Sequence, residues 1–159
     1  MADVAICPVH SGGIDMLLIS KNLLMQIQSE AEKAYPNECC GFLFGSIRNS
    51  EKFAEHTQAV VNASSDEEQY HRFVITPEDM LKAERFARKQ DYEIIGFYHS
   101  HPDCPAVPSG YDTAHALPVY SYIIVSVMQG RASDLRSWEL DKAADYKEFA
   151  SETIVKGVM

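Results

Sequence analysis

Short apolar segments alternate with helical patterns along this chain of 159 residues, and this alternation constrains the fold more than any other feature. The run at residues 120–128, apolar apart from two serines and the tyrosine hydroxyls, is typical of a central strand. Ser20 and Thr76 stand where helix N-caps are expected, each ahead of a segment with one apolar face. Strands interleaved with helices predict an α/β fold whose sheet is covered on both faces.

The element boundaries follow from capping residues, prolines and changes of period. We expect helices at residues 20–35, 76–90 and 109–117. We expect strands at residues 16–19, 37–45, 53–61, 70–75, 93–100, 120–128 and 134–140. The tail at residues 143–155 fits either a helix or an edge strand.

The length is that of one domain, since domains commonly run to about 100–150 residues. Residues 1–13 carry Pro8 and a pair of glycines but no period, so we expect a flexible lead-in there and a single domain at residues 14–159. Apolar residues make up 46% of the chain and charged residues 23%, which excludes a disordered or coiled-coil composition.

The charge balance excludes one class of partner. Lys and Arg total 14 against 23 Asp and Glu, a net charge of −9, and no basic stripe occurs, so we expect no nucleic-acid partner. No apolar run approaches the about 20 residues that cross a bilayer, and no signal-peptide pattern is present, so we expect no membrane partner. We therefore expect a soluble, cytoplasmic protein.

The cysteines agree with a reducing compartment. Four are present, Cys7, Cys39, Cys40 and Cys104, without a C-x-x-C pair. Neighbours such as Cys39 and Cys40 rarely bridge each other, and a domain of this size builds a core without disulfides. We expect reduced thiols, with Cys39 and Cys40 in the interior.

The segment that carries chemistry begins with His99-Ser100-His101-Pro102. Alternate residues of an extended chain point to the same side, so both imidazoles can be presented together at the end of a strand. Asp112 follows after one short loop and can supply a third, oxygen ligand. Three protein ligands and one open position are the arrangement of a catalytic zinc, whose bound water has its pKa lowered toward about 7.

A metal-bound water also needs a proton acceptor. Glu38, in a separate turn flanked by apolar residues, is the candidate, because a carboxylate beside the water can carry a proton to a leaving amine.

Each part of this pattern has a simpler interpretation. Ser109-x-x-Asp112 is also a helix capping box, a histidine pair at a strand end often makes only ordinary hydrogen bonds, and Glu38 alone fits a solvated acid at a helix end. Two histidines and one acid also fit a non-haem iron site. Cys104 could approach the metal as a thiolate. The joint pattern is far more specific than its parts.

The combined residues resemble the JAMM (MPN-plus) zinc metalloproteases, whose full signature is matched by Glu38, His99-Ser100-His101-Pro102, Ser109 and Asp112. The runs at residues 38–45 and 120–126, and the Thr76-Pro77 helix start, are similar to short prokaryotic members. The resemblance covers roughly residues 16–140.

The resemblance implies a mixed sheet flanked by helices, similar to the cytidine deaminase fold. It implies one zinc ion held by His99, His101 and Asp112, with Glu38 as general acid/base and the Ser109 hydroxyl stabilising the oxyanion. The implied reaction is hydrolysis of the peptide or isopeptide bond after the C-terminal Gly-Gly of a ubiquitin-like or sulfur-carrier protein. The alternative is an interaction module that holds zinc and recognises such a tail without cutting it.

Overall fold

A computed structural model describes residues 16–141 and 148–157. The expected lead-in at residues 1–13, including Cys7, and the first part of the ambiguous tail lie outside the described residues. The elements, in chain order, are β1 (Met16–Ser20), α1 (Lys21–Ala34), β2 (Cys40–Arg48), β3 (Glu51–Val60), α2 (Pro77–Gln90), β4 (Glu93–Pro102), α3 (Gly110–His115), β5 (Ser121–Met128), β6 (Arg131–Leu140) and β7 (Phe149–Gly157).

The strands form one mixed sheet that closes into a barrel in the order β1-β3-β2-β4-β5-β6-β7. β1 runs parallel to β3 and to β7, β4 runs parallel to β5, and the other neighbours are antiparallel. The predicted mixed α/β fold is confirmed. The closure was not predicted, because it depends on β1 pairing with two strands that lie far apart in sequence. The likeness to the cytidine deaminase fold stays a prediction.

Helix α1 covers one face of the sheet. The Ser20 side chain accepts a hydrogen bond from the Leu23 amide at 3.2 Å, as an N-cap does. The buried residues of the helix, Leu24, Ile27 and Ala31, recur at the helical period. The expected helix is confirmed, and it ends just before Pro36, since the residue ahead of a proline is pushed out of the helical region.

Helix α2 covers the opposite face. Thr76 caps its first turn, Pro77 stands at the first helical position, and two acids follow where the helix dipole favours negative charge. The helix ends at Asp91, which has a positive φ of 59° and donates its backbone N–H to the last carbonyls. The small buried residues Ala83 and Ala87 let it pack closely on an aromatic cluster of β2 and β4.

A bulge in β4 decides which residues face which helix. The β2–β4 register shifts so that Ile95 has no residue opposite it. Ile95 belongs to the core beneath α1, whereas Phe97, two residues further along, belongs to the core beneath α2. Because side chains alternate along a strand, the extra residue turns Phe97, His99 and His101 to the α2 face.

The expected strand at residues 70–75 is wrong. Residues 61–76 form an irregular connection, the β3–α2 loop. The backbone N–H of Val74 donates to the side-chain oxygen of Asn62 at 3.1 Å, and the Val74 carbonyl accepts from the Ala63 amide at 3.0 Å. These local bonds satisfy the two backbone groups of Val74 that a strand would pair with a neighbouring strand.

The remaining boundaries differ by a few residues. β4 continues to Pro102, β6 begins at Arg131, and α3 is shorter than expected. The end of the chain's ambiguous tail is a strand, β7, within the described residues. None of the helices in the described ranges is both long and apolar enough to cross a membrane.

Candidate metal centre

Three side chains converge where β4 ends and α3 begins. His99 Nε2 lies 3.1 Å from His101 Nε2 and 3.2 Å from Asp112 Oδ2, and His101 Nε2 lies 3.1 Å from the same oxygen. The two histidines are brought together by strand alternation, as the sequence predicts. Among the described residues these three form the group of side chains suited to hold a metal ion.

The triangle fits a tetrahedral zinc. Ligands at about 2.0–2.1 Å from zinc in a tetrahedral arrangement lie about 3.3 Å apart. His101 Nδ1 lies 2.9 Å from the Pro105 carbonyl oxygen, which can only accept, so Nδ1 carries the proton and Nε2 of the neutral ring presents a lone pair. A lone pair facing a carboxylate oxygen is repelled unless a proton or a cation lies between them. The donor set therefore suits zinc.

Asp112 takes part in a capping box and also faces both histidines. The capping box is present: the Ser109 amide donates to Asp112 Oδ2 at 2.9 Å, and the Asp112 amide donates to Ser109 Oγ at 3.0 Å. The same Oδ2 faces both histidines. Burial alone raises the pKa of Asp112, but when His101 and His99 carry protons on Nε2 their hydrogen bonds outweigh it and hold the pKa well below its usual range.

The histidines differ in their surroundings. Complete burial lowers the pKa of His99 despite the nearby carboxylate. For His101 burial also lowers the pKa, but the bonds to Asp112 and the Pro105 carbonyl outweigh it, so the net shift is upward. The Phe73 ring stacks on His99 with centroids 4.5 Å apart. Within the described part of the chain, His99 Nδ1 is buried without a hydrogen-bond partner.

The fold brings Glu38 beside this cluster. The Cys39 amide donates to Ser100 Oγ at 2.8 Å and the Ser100 amide donates to the Cys39 carbonyl at 3.2 Å, which places Glu38 across from His101. Glu38 is only 5% exposed, so its interpretation as a solvated acid is wrong. Burial raises its pKa to about 8, with His101 lowering it and Asp112 adding to the rise. Its Oε2 has no hydrogen-bond partner among the described residues.

The cysteines lie apart from the cluster. Cys104 is exposed and is not part of the group of ligand atoms that lie within 4.8 Å of one another in the described ranges. Cys40 is buried, as expected, and Cys39 is half-buried. Burial raises the pKa of Cys39 to about 11 and that of Cys40 to about 12.

A pocket of about 290 Å³ opens beside the cluster. His99 and Asp112 form part of its wall, and the rest is mainly apolar and aromatic, with Phe73, Met80 and Tyr122 among the lining residues. Sequence reasoning missed these wall residues. The apolar run at residues 73–75 is a signal for the part of the wall that includes Phe73, but the sequence predicts a strand there.

The barrel, the convergent triad and the buried glutamate together define a domain of the JAMM/MPN class. Residues 20–141 match the family described as prokaryotic homologs of the JAB domain, and the chain belongs to that family. The family resemblance drawn from the sequence is confirmed.

Several proteins are similar to this chain. The desampylase of Pyrococcus furiosus is 37% identical over 75 residues, which are 47% of this chain and 49% of that protein, so the match spans about half of the relative. The CysO-cysteine peptidase of Mycobacterium tuberculosis is 27% identical over 141 residues, 88% of this chain and 93% of that protein.

Two solved structures have the same fold. A protein of Desulfitobacterium hafniense has a TM-score of 0.75 at 26% identity, covering 89% of this chain and 92% of that one. A protein of Salinibacter ruber has a TM-score of 0.68 at 34% identity with the same coverage of 89% and 92%.

Proposed function

We propose that this chain is a zinc-dependent peptidase or isopeptidase that hydrolyses the bond after a C-terminal Gly-Gly of a ubiquitin-like or sulfur-carrier protein. The observation that carries the proposal is the triangle of His99 Nε2, His101 Nε2 and Asp112 Oδ2, with edges of 3.1–3.2 Å, beside the buried carboxyl of Glu38.

His99, His101 and Asp112 are the residues that would hold zinc, with a fourth position left for water. When bound, zinc supplies a water whose pKa is lowered toward about 7 and an electrophile that polarises the scissile carbonyl. The Pro105 carbonyl fixes the His101 tautomer, and the capping box fixes the Asp112 carboxylate, so both side chains are oriented before any substrate arrives.

Glu38 is the proposed proton carrier. It takes the proton that the attacking water releases and gives a proton to the leaving amine nitrogen. Burial raises its pKa to about 8, and a group that must both accept and donate a proton works best with a pKa near the working pH.

Ser109 is the proposed donor to the carbonyl oxygen as that oxygen gains negative charge. Its Oγ accepts the Asp112 amide hydrogen, so the hydroxyl proton is not used by the cap and can be donated to the substrate. The capping role and the catalytic role are therefore compatible in one hydroxyl group.

The substrate class rests on family membership and on relatives named as a desampylase and as a CysO-cysteine peptidase. The chain also has little room for an added partner-binding segment, since only residues 113–119 separate Asp112 from Tyr120. The apolar wall of the adjacent pocket suits a substrate that presents uncharged groups next to the scissile bond.

The test uses fusions of a small Gly-Gly-ending carrier with single amino acids, incubated with zinc-loaded protein. Wild type should cleave at least one fusion, and Glu38→Gln should lose this activity while keeping its zinc. Glu55→Gln, which neutralises an exposed glutamate on β3, is the matched control and should cleave as wild type does.

Equal rates for wild type and Glu38→Gln on every fusion would contradict the catalytic assignment. Copurification of uncut carrier with zinc-loaded wild type, with no cleavage, would favour the non-catalytic module instead.

A further inference from the structure

The β3–α2 loop touches both elements that supply the cluster. Phe73 stacks on His99 of β4, and the Arg72 guanidinium lies 5.0 Å from the ring centroid of Tyr111 in α3. Phe73, Val74 and Ile75 line the pocket. A connection this long without regular structure is uncommon inside a compact domain and is usually functional.

One side chain, Asn62, organises this loop. Its Nδ2 donates to the Arg72 carbonyl at 2.8 Å and to the Glu38 carbonyl at 3.2 Å. Its Oδ1 accepts from the amides of Ser64 at 3.0 Å and Val74 at 3.1 Å. Carbonyls only accept and backbone amides only donate, so the four partners fix the orientation of the side-chain amide, and its full hydrogen-bonding capacity is used.

The loop holds the backbone of Glu38 from both sides. The Glu38 N–H donates to the Gln69 carbonyl at 2.7 Å, and the Glu38 carbonyl accepts from Asn62. The Gln69 side chain in turn donates to the carbonyls of Ser64 at 3.0 Å and Asn62 at 3.4 Å. Glu38 and the pocket wall are thus attached to the same hydrogen-bonded unit.

We propose that Asn62 is a positioning residue that couples the placement of Glu38 to the pocket wall formed by the β3–α2 loop. This inference rests on the proposed function for the role of Glu38, but the coupling itself is a property of the fold. Its consequence is that substrate binding in the pocket and proton transfer by Glu38 depend on each other. Loss of Asn62 changes KM and kcat together.

Two variants of Asn62 separate positioning from general folding. Asn62→Ala removes all four bonds. Asn62→Asp keeps the shape and the acceptor for the amides of Ser64 and Val74, but it sets an oxygen against the carbonyls of Glu38 and Arg72. Ile75→Ala trims the pocket wall without touching these bonds. Asn22→Asp adds the same charge on an exposed position of α1 and is the control.

The expected result is measured per zinc-loaded, folded molecule. Asn62→Ala should lower kcat by roughly 10- to 100-fold, because small displacements of a catalytic group have effects of that size, and it should also raise KM. Asn62→Asp should lower kcat similarly. Ile75→Ala should raise KM alone, and Asn22→Asp should match wild type. Zinc content should stay that of wild type in all four.

Hydrogen exchange supplies a readout that needs no substrate. The Glu38 amide donates to the Gln69 carbonyl, so its exchange reports whether the loop that Asn62 attaches to the Glu38 carbonyl stays in place. In Asn62→Ala the amides of Ser64 and Val74 lose their acceptor and should exchange faster than in wild type, and the Glu38 amide should follow as the loop moves. In Asn62→Asp protection at Val74 should persist while protection at Glu38 falls. If both Asn62 variants retain wild-type kcat and KM per loaded molecule, or if exchange at Glu38 is unchanged in both, the inference is overturned. If wild type cleaves no Gly-Gly fusion, the proposed function is wrong but the inference about Asn62 is still testable. In that case exchange at the Glu38 amide decides whether Asn62 fixes the position of the Glu38 backbone.

Discussion

Two clusters of buried charged side chains lie on opposite faces of the same sheet. On the α1 side, Lys52 lies 3.2 Å from Glu139 and 3.2 Å from Glu152. Glu152 also accepts hydrogen bonds from Ser121 at 2.9 Å and Ser137 at 2.6 Å. In this cluster, one cation and two hydroxyl donors lie against the oxygens of Glu152, so that carboxylate is paired by groups of the protein itself.

The cluster of His99, His101 and Asp112 on the α2 side is built differently. There, two imidazole nitrogens and one carboxylate oxygen converge within 3.1–3.2 Å of one another, and Glu38 Oε2 is buried without a partner among the described residues. The comparison shows which feature distinguishes the two buried polar clusters: whether donors of the chain lie against the acceptor atoms. A carboxylate whose oxygens meet donors needs nothing further, whereas acceptor atoms that converge need a proton or a cation between them.

The largest expected effect is on the second cluster. His99→Ala should reduce bound zinc from about one ion per chain to near zero, because two remaining ligands make a weak site. Cleavage should fall to the uncatalysed level, measured with metal analysis and the fusion assay. The far-ultraviolet circular dichroism spectrum should match that of wild type. Zinc retained at the wild-type level would contradict the role of His99 as a metal ligand.

The next effect belongs to the first cluster. Lys52→Met should lower the free energy of unfolding by about 3–5 kcal/mol, because it leaves two buried carboxylates without their cation. The folded fraction should still bind zinc. Denaturant unfolding measures the change, and Lys82→Met, which removes an exposed partner of Glu78, is the control, with a shift below about 0.5 kcal/mol. A Lys52 variant as stable as the control would contradict a structural role.

A third prediction compares Glu38, beside the histidine cluster, with Glu152, in the lysine cluster, in metal-free protein. The pKa of Glu38 is raised from 4.5 to about 8, so wild type loses stability as the pH rises through that window, while Glu38→Gln does not titrate. The melting temperature of Glu38→Gln relative to wild type should therefore increase between pH 5 and about pH 8. Glu152→Gln should be less stable than wild type, since it weakens the pairing with Lys52. A constant difference for Glu38→Gln would disagree with the raised pKa.

The smallest expected effect is a difference in how readily a reagent reaches two cysteine side chains, one exposed and one buried. Iodoacetamide needs access to the sulfur atom, so Cys104, which is exposed, should be alkylated in native protein at pH 8. Cys40 should not react, because burial raises its pKa to about 12 and excludes the reagent. Peptide mass mapping before and after denaturation gives the two rates. Equal native rates would mean that this part of the core opens readily.

Much of the site was predictable because its determinants are local. His99 and His101 are separated by one residue of a strand, and Ser109 and Asp112 by two residues at a helix start, so strand alternation and capping geometry set their directions. The pocket wall was not predictable. The aromatic and β-branched residues at positions 70–75 suit a strand, and no local pattern shows that the Val74 amide is bonded to the Asn62 side chain, twelve residues away, instead of to a neighbouring strand.

The sequence by itself determined the helices, most of the strands and the identity of the side chains that converge, since caps, prolines and short-range periodicity act within a few residues. Only the tertiary structure decided that the sheet closes through β1, that a bulge at Ile95 turns both histidines toward α2, and that Glu38 is buried beside His101. These features depend on strand register and on contacts between residues distant in sequence, whose free energies are set by the packing of the whole barrel rather than by any local pattern.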